Sequence, residues 1–235
     1  PVHASVQDLP AGGVETAIIV APAATVPGII AGCGERGVRG AIVMSAGFRE
    51  VGDAGRAIER DMLAAARRHG LRILGPNCLG VIRTDIGFNG TFSAGNALPG
   101  RIGVISQSGA LCTAILDWAR VNSVGFSSVI STGIGADVDF GEMLDFLAMD
   151  AATDSILVYV EGIHHARPFV SALRAAARVK PVVVMKTGRH AEGQRAAKSH
   201  TGALVGTDAV FDAALRRAGV LRVEEFADFF GAAAI

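Results

Sequence analysis

In Gly103-Val-Ile-Ser-Gln-Ser-Gly-Ala110 a short β-branched run stops at a Ser-Gln-Ser-Gly turn, and helical spacing begins at once and continues to residue 122. A strand, a tight turn and a helix in that order are the repeating unit of a parallel sheet. The same alternation continues on both sides. Compact apolar runs at 16–21, 41–45, 72–74, 128–131, 155–160 and 182–186 are bounded by Gly, Pro or charge, as strands buried on both faces are. Between them, residues 54–69, 140–149, 168–179 and 208–218 carry helical spacing, with Pro168 and Asp208 suited to helix starts. The pattern predicts an α/β fold and excludes a sandwich or a bundle.

Ser93-Ala-Gly-Asn-Ala-Leu-Pro-Gly100 interrupts the alternation with turn formers, and a domain boundary is expected there. The first module then spans residues 1–95 and the second 96–235. A doubly wound nucleotide-binding module opens with a strand and a Gly-rich turn, and neither is found near Pro1, so the first module reads as N-terminally incomplete. The Pro1-Val-His-Ala-Ser start has no charged-then-apolar export pattern and reads as a start in mid-domain.

Bulk composition narrows the partners. With 235 residues, 50% of them hydrophobic, the chain fills real cores. Lys and Arg total 22 and so do Asp and Glu, so there is no broad basic surface to attract nucleic acid or an anionic membrane. Cys33, Cys78 and Cys112 form neither a disulfide framework nor a CxxC metal pattern, which fits a reducing, cytoplasmic setting. No apolar run approaches the ~18 residues of a membrane span.

Three places carry possible chemistry. The Ser-Gln-Ser-Gly turn opens a helix and offers free N–H groups and a positive helix end to phosphate or carboxylate; the alternative is a capped turn with nothing bound. His200 lies in a small-residue loop, Lys198-Ser-His-Thr-Gly-Ala203, where a neutral imidazole can take and pass on a phosphoryl group; the alternative is a surface histidine. Glu161 stands at the carboxyl end of the run 155–160, where a carboxylate can hold an imidazole in one tautomer; the alternative is a solvated loop residue. Gly75-Pro-Asn-Cys-Leu-Gly80 and Ser45-Ala-Gly-Phe48 follow strands on the same predicted edge and can line a crevice. Cys78 reads as a buried structural thiol rather than a reactive one. Gly133 and Gly135 flank Ile134 in a tight turn that either admits a small substrate or is only a turn. His164-His165 has no partner at metal-ligand spacing, so no metal site is expected.

Taken together, IVAPA, SAGFREVG, GPNCLGV, SQSGA, ADVDF, YVEGI, KPVVVMKTGR and KSHTGALVGTDAVFDAA occur in one order along nearly all of the chain. In these motifs the chain resembles the α subunit, or α-like half, of the ADP-forming acyl-CoA synthetases and, more distantly, that of succinyl-CoA synthetase. The resemblance implies a Rossmann-like CoA-binding domain followed by a flavodoxin-like parallel-sheet ligase domain. By matching position, it implies that His200 is the phosphorylated histidine and Glu161 the glutamate that steadies it. It further implies that Gln107, Ser108, Gly109 and Ala110 receive the phosphate. Val20, Pro22, Met44, Ser45, Ala46, Asn77 and Cys78 would contact coenzyme A, and Gly133, Ile134 and Gly135 would lie near the acyl group.

The activity implied is an acid–thiol ligase: a carboxylic acid, CoA and ATP give acyl-CoA, ADP and phosphate through acyl phosphate and phosphohistidine. No Walker-type GxxxxGK[ST] or ATP-grasp pattern occurs here, so ATP or ADP with Mg is expected on a partner ATP-grasp domain or β subunit, and this chain alone is expected to be inactive. Homo-oligomers are compatible with this reading. The rival expectation is a regulatory module, fused to a protein acetyltransferase, that senses acyl-CoA or a small effector. Retention of both His200 and Glu161 favours the enzyme.

Overall fold

The computed structural model describes residues 2–187 and 208–232. His200 and its loop lie outside them. Among the described residues two sheets organise the chain. In the first, β1 (Thr16–Ile19), β2 (Gly40–Val43) and β3 (Arg72–Leu74) run parallel in that order. Parallel strands share one carboxyl edge, so the segments following Ile19, Val43 and Leu74 emerge side by side. Helices α1 (Val26–Glu35) and α2 (Asp53–His69) pack on this sheet through Val26, Ile30, Met62, Ala65 and Ala66, against Ile19, Val43 and Ile73.

The second sheet has seven strands. β4 (Gly80–Arg83) and β5 (Phe88–Thr91) form an antiparallel hairpin at its edge, and β6 (Pro99–Ser106), β7 (Phe126–Ser131), β8 (Ser155–Val160), β9 (Val182–Lys186) and β10 (Leu221–Val223) form the parallel body. Spatial order is β10-β9-β8-β6-β7-β4-β5. Helices cover both faces. α3 (Gly109–Val121) and α7 (Phe226–Gly231) bury Ile115, Leu116 and Phe229 on one side. α4 (Phe140–Met149), α5 (Ala166–Ala177) and α6 (Asp208–Ala218) bury Leu144, Leu173 and Leu215 on the other.

Two features depart from the expected organisation. The hairpin β4–β5 precedes the turn-rich stretch at 93–100, yet it hydrogen-bonds into the second sheet, Ile82 opposite Val129, so the chain changes sheets between Leu74 and Gly80. Pro99 and Gly100, read as turn formers, belong to β6. Pro99 is the first residue of that strand, where a missing N–H is tolerated, and Gly100 lies so close to Gly125 that a Cβ would fall 2.2 Å from its carbonyl carbon.

The segment after β7 closes the open edge of the first sheet. Val138 N–H donates to Ile73 O, Ala136 N–H to Gly75 O and Ile134 N–H to Pro76 O, at 2.9–3.0 Å. The Asp137 carboxylate accepts from the Ile73 N–H at 2.8 Å and pairs with the Arg72 guanidinium, which also reaches Glu142. Among the described residues no helix is long and apolar enough to cross a membrane.

Candidate functional site

The carboxyl edge of the first sheet meets the amino end of α3 in a cleft of about 420 Å³. Met44, Asn77 and Cys78 line it from the first module, and Gln107, Ser108, Gly109 and Ala110 from the second. Seven of the residues expected to bind CoA or phosphate thus share one cavity. Open α/β sheets place their ligands at such carboxyl ends because the strand-to-helix turns there leave main-chain groups free.

Each wall has a local cause. Ser108 caps α3: its Oγ accepts from Leu111 N–H at 3.2 Å, and its own N–H donates to Ser106 Oγ at 3.1 Å. Cys112 N–H turns back to Ser108 O at 3.1 Å. Gly109 and Ala110 line the cleft in the first turn of a thirteen-residue helix, where N–H groups have no intrahelical acceptor and the helix end is positive. Opposite, Asn77 takes a left-handed conformation at φ 55°, which Asn tolerates better than most residues, and its N–H donates to Ser45 O at 2.9 Å. Ser45 Oγ in turn accepts from Ala21 N–H at 3.1 Å, so Ser45 ties the ends of all three strands together rather than facing the cavity. The Cys78 thiol points inward to Val43 O at 3.4 Å, and burial pushes its pKa up to about 12. It is a structural thiol, not a nucleophile.

Glu161 follows the last residue of β8. Its N–H donates to Gln107 Oε1 at 2.5 Å, as does that of Gly162 at 2.9 Å, while Gln107 Nε2 donates to Gly162 O at 2.8 Å. The phosphate turn and the Glu161 strand end are therefore one hydrogen-bonded unit. The side-chain amide of Gln107 is thus engaged by main chain of the strand end.

Other expected site residues stand apart from the cavity wall. Val20 is 75% exposed on the same edge, with Pro22 and Ala46 exposed beside it. Ile134 is buried in the core of the first module with Val26, Val43 and Ile73, so its side chain is packing. Gly133, at φ 54°, backs directly onto the cavity loop: a Cβ there would stand 2.3 Å from both Pro76 O and Asn77 O. Gly135 donates to Thr132 O at 3.1 Å and completes the turn.

Sequence reasoning missed Leu79, Phe92 and Thr113, which also line the cavity. Phe92, 68% exposed just after β5, is the most informative of them. A lone aromatic inside a run of turn formers is the signal that marks it. His164, three residues beyond Glu161, approaches Arg49 of the first module at 3.5 Å, and Arg49 is held by a bidentate pair to the buried Glu59.

Comparison with known proteins gives a consistent result. Residues 1–84 match the CoA binding domain model, and residues 99–235 match the succinyl-CoA ligase like flavodoxin domain. An ADP-forming acetate–CoA ligase I of Archaeoglobus fulgidus is 46% identical over 232 residues, covering 97% of this chain and 34% of that protein. The α subunit of the ADP-forming acetate–CoA ligase I of Pyrococcus furiosus is 41% identical over 229 residues, covering 97% of this chain and 49% of the subunit. Among solved structures, a dinucleotide-forming acetyl-coenzyme A synthetase 1 of Ca. Korarchaeum cryptofilum, in complex with phosphate and ADP, matches with a TM-score of 0.91 at 37% identity. That match covers 97% of this chain and 49% of the other. This chain spans a third to a half of the length of these relatives. With a CoA binding domain in front of a succinyl-CoA-ligase-like flavodoxin domain, the chain belongs to the family of α-like parts of the ADP-forming acyl-CoA ligases.

Proposed function

We propose that this chain is the CoA-handling and phosphoryl-relay component of an ADP-forming acid–thiol ligase, which converts a carboxylic acid, CoA and ATP to acyl-CoA, ADP and phosphate. The observation that carries the reading is that Gly109 and Ala110, in the first turn of α3, line one cavity together with Met44, Asn77 and Cys78. One end suits an anion and the other a thioester arm, which a ligase joining phosphate to CoA chemistry needs together. The named relatives are ligases, and the acetyltransferase-linked sensor finds no support among them.

In this reading a neutral nitrogen of His200 attacks the terminal phosphorus of ATP and ADP leaves. A carboxylate oxygen of the acid then attacks that phosphorus, the N–P bond breaks and acyl phosphate forms. The thiolate of CoA attacks the acyl carbon, and phosphate departs stabilised by the amino end of α3. Glu161 holds the imidazole in the tautomer that keeps the attacking nitrogen unprotonated. Mg and the nucleotide belong to an ATP-grasp domain or β subunit, the partner in which the rest of the activity resides.

The test is phosphorylation of the complete enzyme by radiolabelled ATP, with and without His200→Asn. Label that is stable to alkali and labile to acid is expected in the parent and absent from the variant. Equal labelling of both removes His200 from the reaction and with it this proposal.

A further inference from the structure

Gln107 lies at the join of the two halves of the proposed machinery. Strands β6 and β8 pair up to Ser106 opposite Tyr159, and their regular ladder ends there. Beyond that point the chain of β6 turns into α3, and that of β8 turns outward with Glu161. The side chain of Gln107, only 8% exposed, continues the ladder where main chain no longer can. Its Oε1 accepts from two successive N–H groups, those of Glu161 and Gly162, and its Nε2 returns a bond to Gly162 O. The backbone N–H of Gln107 donates to Tyr159 O at 3.2 Å. Donor and acceptor of one primary amide thus stand in for a peptide group of a neighbouring strand.

No other residue type reproduces this. A glutamate keeps the two accepted bonds but sets a carboxylate oxygen against Gly162 O. Methionine fills the space and leaves two N–H groups, that of Gly162 buried and that of Glu161 partly so, without an acceptor, and asparagine is one methylene too short to reach. The engaged amide also leaves Gln107 poorly placed to serve as a phosphate ligand through its side chain.

We infer that Gln107 is a positioning residue: its side-chain amide fixes the Glu161 strand end against the amino end of α3, so that the carboxylate stands at a set place relative to the anion site. The inference rests on the proposed role of Glu161 in steadying the phosphorylated imidazole. It assigns Gln107 to the rate of phosphoryl transfer and not to phosphate affinity.

The two roles separate in steady-state kinetics of the complete enzyme run from acyl-CoA, phosphate and ADP towards ATP. For Gln107→Met, kcat is expected to fall on the order of 100-fold, the cost of displacing a reacting group by about 1 Å, while KM for phosphate stays within about twofold. Gln107→Glu, which keeps both accepted bonds, is expected to recover part of kcat. Combining Gln107→Met with Glu161→Gln is expected to cost little more than Glu161→Gln alone, because the first acts through the second. A rise in KM for phosphate at unchanged kcat, or an additive loss in the double variant, overturns the inference while His200 labelling remains intact. Equal labelling of the His200→Asn variant is the separate outcome that overturns the ligase reading itself. Native-like melting of both variants shows that their kinetics report on geometry, and a Gln107→Met enzyme that folds yet keeps the parent's kcat also defeats the inference.

Discussion

His164 shows how one side chain reports on the contact between the modules. Burial, and after it the positive charge of Arg49, hold its imidazole below the ordinary value of 6.5, against opposing pulls from Asp139 and Glu59. The fold therefore favours the neutral ring. The unfolded chain takes up a proton at higher pH than the folded one, so this contribution to stability is complete above pH 6.5 and is lost as pH falls toward the folded-state value. His164→Asn, which keeps a polar group near Arg49 without the titration, is expected to flatten the decline in melting temperature below pH 6.5. A slope identical to that of the parent would show that other groups set it. Cys78 and Cys112 stand at the opposite extreme: burial pushes each thiol to about 12, so neither changes charge near neutrality.

Among the elements, the turn between β7 and α4 has little tolerance for a side chain. Gly133 holds φ 54° and its missing Cβ would stand 2.3 Å from two carbonyl oxygens of the cavity loop. Gly133→Ala is expected to destabilise the fold by about 2–4 kcal/mol in urea unfolding, through left-handed strain and through displacement of Pro76 and Asn77. A change below about 0.5 kcal/mol would mean that the loop yields freely.

The same elements show what the sequence carries. β3, β8, β9, α4 and α6 were legible to the residue, because Gly, Pro or charge bounds each run where hydrogen bonding stops. Helix α1 was not: Pro27, Gly28, Gly32 and Gly34 dilute its helical signal, and the fold accepts them because Gly34 lets α1 approach His69 of α2 more closely than any Cβ allows. The hairpin β4–β5 escaped because its short strands lack a crossover helix, and its membership in the second sheet depends on contacts with β7 more than forty residues away. For the cavity, Met44, Asn77, Cys78 and residues 107–110 were recognisable as turns at strand ends. Phe92 and Thr113 were not, since nothing local in the sequence states that a hairpin and the second turn of a helix face the same space.

Across the whole molecule, the change of sheet at residues 75–79 means that the boundary suggested by turn formers at 93–100 does not coincide with the hydrogen-bonded units. Separating the chain after residue 95 leaves β4 and β5 on the wrong fragment and bares the edge of β7, whose Phe126–Ser131 run is fully buried in the intact molecule. A fragment beginning at residue 96 is expected to self-associate in sedimentation, because an unpaired apolar edge recruits another. One beginning at Gly80 keeps the hairpin and is expected to remain monomeric under the same conditions; the reverse order would contradict this account of the edge.

The buried position of Ile134 has a consequence for ancestry and for design. Carried on a loop of one module, it serves as a peg in the other's apolar socket, with Val26, Val43 and Ile73 around it. Swapping either half for that of a homologue therefore transplants only one side of a fitted joint, and chimeras will tolerate exchange where peg and socket travel as a pair.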